Sequence, residues 1–260
     1  MVYEDLLLDR SEGIATVTLN APDKMNALTE GMRRSIIGLS EELAADDSIR
    51  VVIVTGAGRG FCSGADLSGG AMTPTRQQRI EFLGPNYGAG AFFGIDKPVI
   101  AAVNGAAVGA GFSLALSMDI RIASETARFG AVFVLRGLSP DCGITYWLPR
   151  VVGSARAMEM MFTGEIIGAA KARELGIVSR VVPAEEIMSA ARDLAERIAE
   201  QPQCSVELSK RMVYSGLRDG WVRQIELEAG ANQACTRTED HREAVRAFFE
   251  KRPPPRFRGR

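Results

Sequence analysis

Through the first two hundred residues, short apolar runs alternate with longer stretches of helical repeat. Ile14-Ala15-Thr16-Val17-Thr18-Leu19 alternates apolar and small polar residues, the period of a strand with one buried face. Thr29 then precedes Met32, Ile36, Leu39 and Leu43 at helical spacing, predicting a helix capped by Thr29 that runs to about Ala45. Val51-Val52-Ile53-Val54 is apolar throughout, as expected of a strand covered on both faces. Pro98-Val99-Ile100-Ala101-Ala102-Val103 repeats that signal and leads through Asn104-Gly105 to a predicted helix over about 110–118. Ile120-Arg121-Ile122-Ala123 reads as a further strand. Between 68 and 94 the pattern is irregular, with a short helical piece near 76–83, the profile of a lid or surface insertion. From 184 to 250 the repeat is helical almost throughout, broken at Gln201-Pro202 and again over 216–220. Strand–helix alternation predicts an α/β fold with parallel sheets and helical crossovers. Residues 1–200 would form the core, and 201–260 a helical C-terminal segment.

Composition narrows the function classes. The chain has 260 residues, 46% hydrophobic and 24% charged, and a net charge of −1 from 31 basic and 32 acidic residues. That balance gives no nucleic-acid footprint and no acidic solvating tail. The one local imbalance, the basic run from Lys251 to Arg260, reads as a solvated end; the sharper alternative is a patch that meets phosphates. Cys62, Cys142, Cys204 and Cys235 lie far apart with no C-x-x-C pair, which argues against a zinc site or a disulfide framework. No charged, apolar leader opens the chain, and no apolar run approaches the ~18 residues of a membrane span. A cytoplasmic protein with reduced thiols is expected. The single histidine, His241, sits in a charged helical stretch and reads as a surface imidazole. Ser-His-Asp, Cys-His and His-ligated metal mechanisms therefore lack their usual base or ligand, and no metal is expected. Acid–base work falls to carboxylates, Tyr, Lys or water.

Two glycine-rich turns carry the chemistry. Thr55-Gly56-Ala57-Gly58-Arg59-Gly60-Phe61-Cys62-Ser63-Gly64-Ala65-Asp66-Leu67 follows a buried strand, but its third glycine comes one position too early for a dinucleotide fingerprint. Some forty residues on, Asn104-Gly105-Ala106-Ala107-Val108-Gly109-Ala110-Gly111-Phe112 is a second strand-to-turn segment opening a helix. Glycine permits close backbone approach, and a helix start offers unpaired N–H groups with positive dipole character. Two such turns facing one point can aim two donors at a developing oxyanion.

The pair F-C-S-G-A-D-L and K-P-V-I-A-A-V-N-G-x-x-x-G-A-G resembles the double signature of the crotonase (enoyl-CoA hydratase/isomerase) superfamily. Asp23-Lys24-Met25-Asn26-Ala27-Leu28 resembles that family's CoA-facing segment, and 169–182 its later A-x-x-A-x-x-x-G-x-V motif. The resemblance covers essentially the whole chain in order. It implies a spiral of ββα units with a helical C-terminal segment used in assembly, usually as a homotrimer or homohexamer. Carried across by position, the oxyanion-hole N–H groups belong to Ala65 and Ala110, the latter presented by Gly109. Lys24, Met25 and Ala27, with Ala65, Asp66 and Leu67, would line the CoA path. Phe248 and Lys251 match positions that reach CoA from a neighbouring subunit or helix. Coenzyme A enters as part of an acyl-CoA substrate, with no separate cofactor.

The family's hydratases carry two glutamates beside the oxyanion hole; those positions read Ser113 and Phe133 here. One acid falls in place, Asp141 in Leu138-Ser139-Pro140-Asp141-Cys142-Gly143-Ile144-Thr145. As an Asp after a proline turn it is a natural helix N-cap. By resemblance it matches the catalytic aspartate of dienoyl-CoA isomerases and, in the wider motif, of the phenylacetate-pathway isomerase acting on a ring epoxide. Phe92, Phe93, Phe133, Val134, Tyr146 and Trp147 either line the acyl pocket or belong to the core. Cys142 reads as an inert thiol. The leading expectation is isomerisation of an enoyl-CoA or ring acyl-CoA through Asp141. Water addition or ring hydrolysis through the same residue, and acyl-CoA binding without turnover, are the alternatives; a nucleophilic Asp141, as in the family's dehalogenases, lacks the histidine that mechanism uses.

Overall fold

The computed structural model describes residues 3–68, 87–253 and 257–259. The helical piece expected near 76–83 lies outside them. Strand β2 (Ile14–Leu19) pairs antiparallel with β1 (Leu6–Ser11) and parallel with β3 (Val51–Gly56). These open a six-stranded sheet in the order β1-β2-β3-β5-β7-β10, completed by β5 (Val99–Val103), β7 (Ile120–Ser124) and β10 (Arg180–Val182). Every pairing after the first is parallel. Between these strands the chain visits a second sheet. β4 (Gly60–Cys62) follows β3, β6 (Ala106–Val108) follows β5, and β8 (Arg128–Gly130) follows β7. With β9 (Ile166–Gly168) they form a four-stranded sheet in the order β4-β6-β8-β9. Successive passes thus lay one strand in each sheet, the spiral that the family resemblance implied. Strand β6 was not separable in the sequence, because three residues are too few to show a period.

The helices are α1 (Glu30–Ala45), α2 (Ala110–Leu116), α3 (Ile144–Val152), α4 (Ser154–Thr163), α5 (Ala169–Glu174), α6 (Ile187–Ala199), α7 (Gln203–Gly216), α8 (Trp221–Thr236) and α9 (Glu239–Phe249). The Thr29 cap is present: its hydroxyl accepts from Met32 N at 3.0 Å. The unbroken apolar run of β3 follows from burial on both faces. Val52 and Val54 join the core formed with Met32, Ile36, Leu39 and Leu43 of α1, whereas Val51 and Ile53 pack in a second cluster with Ile187, Ala190, Ala191 and Ala195 of α6. Alanines on α6 let its axis lie close to the sheet.

A buried lysine ties α1 to the sheet. Lys97, immediately before Pro98 and β5, donates to Leu43 O at 2.6 Å, Ala44 O at 3.0 Å and Asp46 O at 2.8 Å. It thereby serves the carbonyls that the end of a helix leaves without intrahelical partners, where a cation is also favoured by the helix dipole. Lys210 of α7 reaches Lys97 O at 3.0 Å and Asp119 Oδ2 at 2.8 Å, and Tyr214 donates to Asp119 Oδ1 at 2.8 Å. One carboxylate thus anchors α7 below β7.

The C-terminal helices break where the sequence indicated and once more at Arg237-Thr238, where Thr238 caps α9 by accepting from His241 N at 3.0 Å. His241 itself is half-buried rather than fully exposed. None of the residues of α8 is buried within the chain, and Trp221 and Val222 are 77% and 72% exposed. In the basic end Lys251 and Arg258 are exposed, as a solvated end would be, while residues 257–259 are docked on the chain. Phe257 is buried, and Arg258 N and Gly259 N donate to the two carboxylate oxygens of Asp240 at 2.8 and 2.7 Å. Among the described residues no helix is long and apolar enough to cross a membrane.

Replacing Lys97 by methionine keeps the stem but strands three carbonyls. A loss of about 2–4 kcal/mol in urea unfolding is expected, given the cost of buried acceptors left without a donor; a loss under half of the lower figure would show that water replaces the ammonium.

Candidate active site

The first glycine turn is held by two side-chain amides. Asn26, fully buried, accepts from Ala21 N at 2.9 Å and donates to Ala57 O at 2.9 Å and Gly60 O at 2.8 Å. Asn104 donates to Gly56 O at 2.9 Å and Gly58 O at 3.0 Å, and accepts from Gly56 N at 3.2 Å. A loop of this kind forms no ladder of its own, so its backbone groups need partners from elsewhere. The sequence placed Asn26 only within the segment resembling the family's CoA-facing stretch and Asn104 only in a turn; the loop carbonyls they serve are 31 to 48 residues away in the chain.

Beyond β4 the chain runs alongside the segment from Lys24 to Leu28. Ser63 N donates to Met25 O at 3.0 Å, Leu28 N to Gly64 O at 2.7 Å and Asp66 N to Leu28 O at 3.3 Å. Lys24, Met25, Ala27, Ala65 and Asp66 are thereby brought together, with Leu67 exposed beside them. Lys24 Nζ lies 3.1 Å from Asp66 Oδ2. Hydrogen bonds from Ser68, and after them Lys24, hold the Asp66 carboxyl down to about 2.

The second turn packs directly on the first. A methyl group placed on Gly64 would come within 3.0 Å of Val108 O and 3.4 Å of Ala110 N. Gly109 caps α2 with φ 55° and ψ −127°, a conformation side-chain-bearing residues avoid, and its N–H is taken by Gly130 O at 2.9 Å. Ala110 N, the next donor, and Ala65 N have no protein acceptor among the described residues. Two closely packed turns therefore each leave one N–H unpaired, and donors from two such turns serve an anionic oxygen when they converge on it.

Asp141 approaches from a third segment. Ser113 of α2, fully buried, directs its hydroxyl to Asp141 O at 3.3 Å, tying the aspartate loop to the first turn of the helix that Ala110 begins. The expectation that Asp141 caps α3 is corrected. The helix starts at Ile144, its N-cap is Gly143, and no side chain caps it. Cys142 and Gly143 are both left-handed, at φ 54° and 83°, so the chain turns between Asp141 and the helix. The Pro140-Asp141 pair lies before that turn, and Asp141 is an exposed residue that makes no capping hydrogen bond to the helix. The Cys142 thiol is pushed up to about 12, first by burial and then by its hydrogen bond to Asp141 and that group's charge. It is protonated at neutral pH, as expected of an inert thiol.

Of the other predicted residues, Phe133 is buried in the main core and Phe92 is fully buried, while Val134 is 42% exposed. Phe93 stacks edge-on with Trp147 at 4.7 Å and with Tyr214 at 4.6 Å. Phe248 is exposed on α9 with its ring against Phe249, and Lys251 is exposed just beyond; neither is gathered with the glycine turns within this chain.

Two outcomes follow from this geometry. Asn26→Ala removes three hydrogen bonds from buried backbone and is expected to cost about 2–4 kcal/mol of stability in urea unfolding; a neutral effect would mean that the loop is held by other contacts. Iodoacetamide labelling followed by peptide mass mapping should find Cys142 unreactive at pH 8, its rate climbing only toward strongly alkaline pH. A raised thiol pKa lowers the thiolate fraction at any lower pH, so Asp141→Asn, which removes the neighbouring charge, should speed labelling at pH 8; an unchanged rate would dissociate the two side chains.

The profile of the enoyl-CoA hydratase/isomerase family matches residues 9–260. A Rhodobacter capsulatus protein named "Probable enoyl-CoA hydratase" is 39% identical over 100% of both chains. The 1,2-epoxyphenylacetyl-CoA isomerase of Escherichia coli is 38% identical over 97% of this chain and 98% of its own. Among solved structures, an enoyl-CoA hydratase from Bacillus anthracis superposes with a TM-score of 0.92 at 32% identity, covering 99% of this chain and 100% of the other. Two adjacent glycine turns, a spiral of paired sheets and these full-length likenesses agree: the chain belongs to the enoyl-CoA hydratase/isomerase family, within the crotonase superfamily.

Proposed function

We propose that this enzyme binds an acyl-CoA thioester, bears its enolate oxygen on the N–H groups of Ala65 and Ala110, and moves a proton through Asp141. The observation that carries this reading is the hydrogen bond from Ser113 to the Asp141 backbone, which ties an exposed carboxylate to the helix that Ala110 begins. Polarising the thioester oxygen acidifies the neighbouring carbon. The carboxylate accepts that proton, the electron pair moves into the thioester as the enolate, and return of the proton at another carbon shifts the double bond. Removal of one oxyanion donor costs about 10²–10³ in rate in comparable sites.

Ser113 and Phe133 occupy the positions where two glutamates would serve a hydration, and both are buried. With one carboxylate in their place, isomerisation by a shuttling base is the favoured outcome. Water addition is the second reading; it is favoured by the hydratase names of several relatives and by the solvent exposure of Asp141. In this proposal Lys24, Met25, Ala27, Asp66, Leu67 and Gly109 face the CoA moiety. Phe248 and Lys251 join from a neighbouring copy in a homotrimer or homohexamer, and the uncovered apolar residues of α8 support such assembly.

The test is exchange of substrate α- and γ-protons into deuterated solvent across straight-chain, dienoyl and ring acyl-CoAs, read by mass spectrometry. Asp141→Asn should lose about 10²–10⁴ in exchange rate, the usual contribution of a general base, while still binding acyl-CoA. Uptake of labelled oxygen from water, with consumption of the enoyl thioester, would establish the hydratase outcome instead. Wild-type binding without exchange or water uptake would leave a binding protein.

A further inference from the structure

Helices α7 and α8 are held to the molecule in different ways. α7 is fastened to the sheet, since its Lys210 and Tyr214 both bond the Asp119 carboxylate. α8 rests on α7 and α9, and none of its own residues is buried. The two helices run antiparallel from the turn at 217–220. Near that turn Gln224 Nε2 donates to Met212 O at 3.0 Å, and at the far end Ser205 Oγ lies 3.5 Å from Cys235 Sγ.

That far end brings two cysteines together. Cys204, the residue before Ser205, is joined to Cys235 by a side-chain hydrogen bond, and it lines one cavity with Ala234, the neighbour of Cys235. Both cysteines are half-buried and carry free thiols. Burial first, and then Cys235, raise the Cys204 thiol above its ordinary pKa, with Glu207 and Asp240 adding to the shift. Cys204 therefore rests as a thiol until an oxidant arrives. Cys62 and Cys142 are poor competitors for that oxidant, because burial pushes each of their thiols up to about 12. A disulfide draws its sulfurs to about 2.05 Å. Thiols already in hydrogen-bond contact need only a small further approach, and α8 can supply it without opening a core.

We propose that Cys204 and Cys235 are a reversible redox staple, closed by a peroxide, that clamps α8 to the anchored α7. One thiol loses its proton and attacks a peroxide oxygen, forming a sulfenic acid and releasing water. The second thiol then attacks that sulfur; the S–S bond forms and a second water leaves. Two thiols together give up two electrons, and hydrogen peroxide is reduced to two waters. A dithiol reductant reverses the link by thiol–disulfide exchange. Closing the loop from Cys204 to Cys235 restricts the unfolded chain and tethers a helix otherwise held at its surface. This inference is independent of the acyl-CoA reading.

The full chain, treated with hydrogen peroxide and digested without reductant, should give one internally linked peptide pair, Cys204 to Cys235, by mass spectrometry. Dithiothreitol should remove it. The linked form should unfold at a temperature higher by at least about 4 °C. Its α8 amides should exchange with deuterated solvent about tenfold more slowly than those of the reduced form. Cys204→Ser and Cys235→Ser should each abolish both effects of peroxide; should either fail to fold, the wild type before and after dithiothreitol gives the same comparison. No internal link, a link to Cys62 or Cys142, or a link only between two copies of the chain overturns the proposal. A Cys204–Cys235 link that leaves α8 exchange unchanged overturns the clamp.

Discussion

The site depends on backbone packed against backbone. The turn at Gly64 lies so close to the start of α2 that a single methyl group there would press on Val108 O and Ala110 N. Such contact leaves no room for side chains or water between the two turns, and it is what sets the Ala65 and Ala110 amides next to each other. Neither turn can hold that position unaided. Asn26 and Asn104 satisfy the carbonyls of the loop leading into the first turn, and Gly130 holds the N–H of Gly109 at the second. Among the described residues Ala65 N and Ala110 N remain without a protein acceptor, and an orphan N–H on a packed turn is oriented before any ligand arrives.

Around this fixed pair the chain arranges charge unevenly. On the outer rim Lys24 and Asp66 neutralise each other, and the aspartate stays ionised well below neutral pH. On the inner side Asp141 remains exposed, because the turn formed by Cys142 and Gly143 separates it from the helix it might have capped. Its neighbour Cys142 stays protonated under the combined weight of burial and that carboxylate's charge. Ser113 keeps the loop in register with α2 through a contact to the Asp141 backbone, and the Asp141 side chain takes a hydrogen bond from Cys142. The two amides and the Asp141 carboxylate are thus held on separate segments, the first two on packed glycine turns and the last on a loop tied to α2.

The larger fold serves to bring these loops to one place. Each pass through the two sheets delivers one connecting turn, and parallel pairing stacks successive turns at the same end of their strands. Lys97, Asp119 and Lys210 bind α1 and α7 to the strands between them, so both helices are anchored to the same sheet. Beyond them α8 leaves its apolar residues uncovered.

Much of this was legible in the amino-acid sequence, because it rests on local rules. Apolar runs of period two marked β2, the unbroken run of β3 announced burial on both faces, and Thr29 fixed the start of α1. The glycine motifs and the residues around Lys24 identified the family across the whole chain. What the sequence could not determine were features created by contact between distant segments. Strand β6 is too short to have a period. The anchoring role of Asn26 and Asn104, the burial of Lys97 against carbonyls of α1 and the docking of the C-terminal end on Asp240 depend on partners far along the chain. The Asp141 cap, a sound local expectation, failed for the same reason. A proline followed by an acid predicts a helix start from neighbouring residues alone, whereas two left-handed residues, packed beside α2, turn the chain before the helix begins.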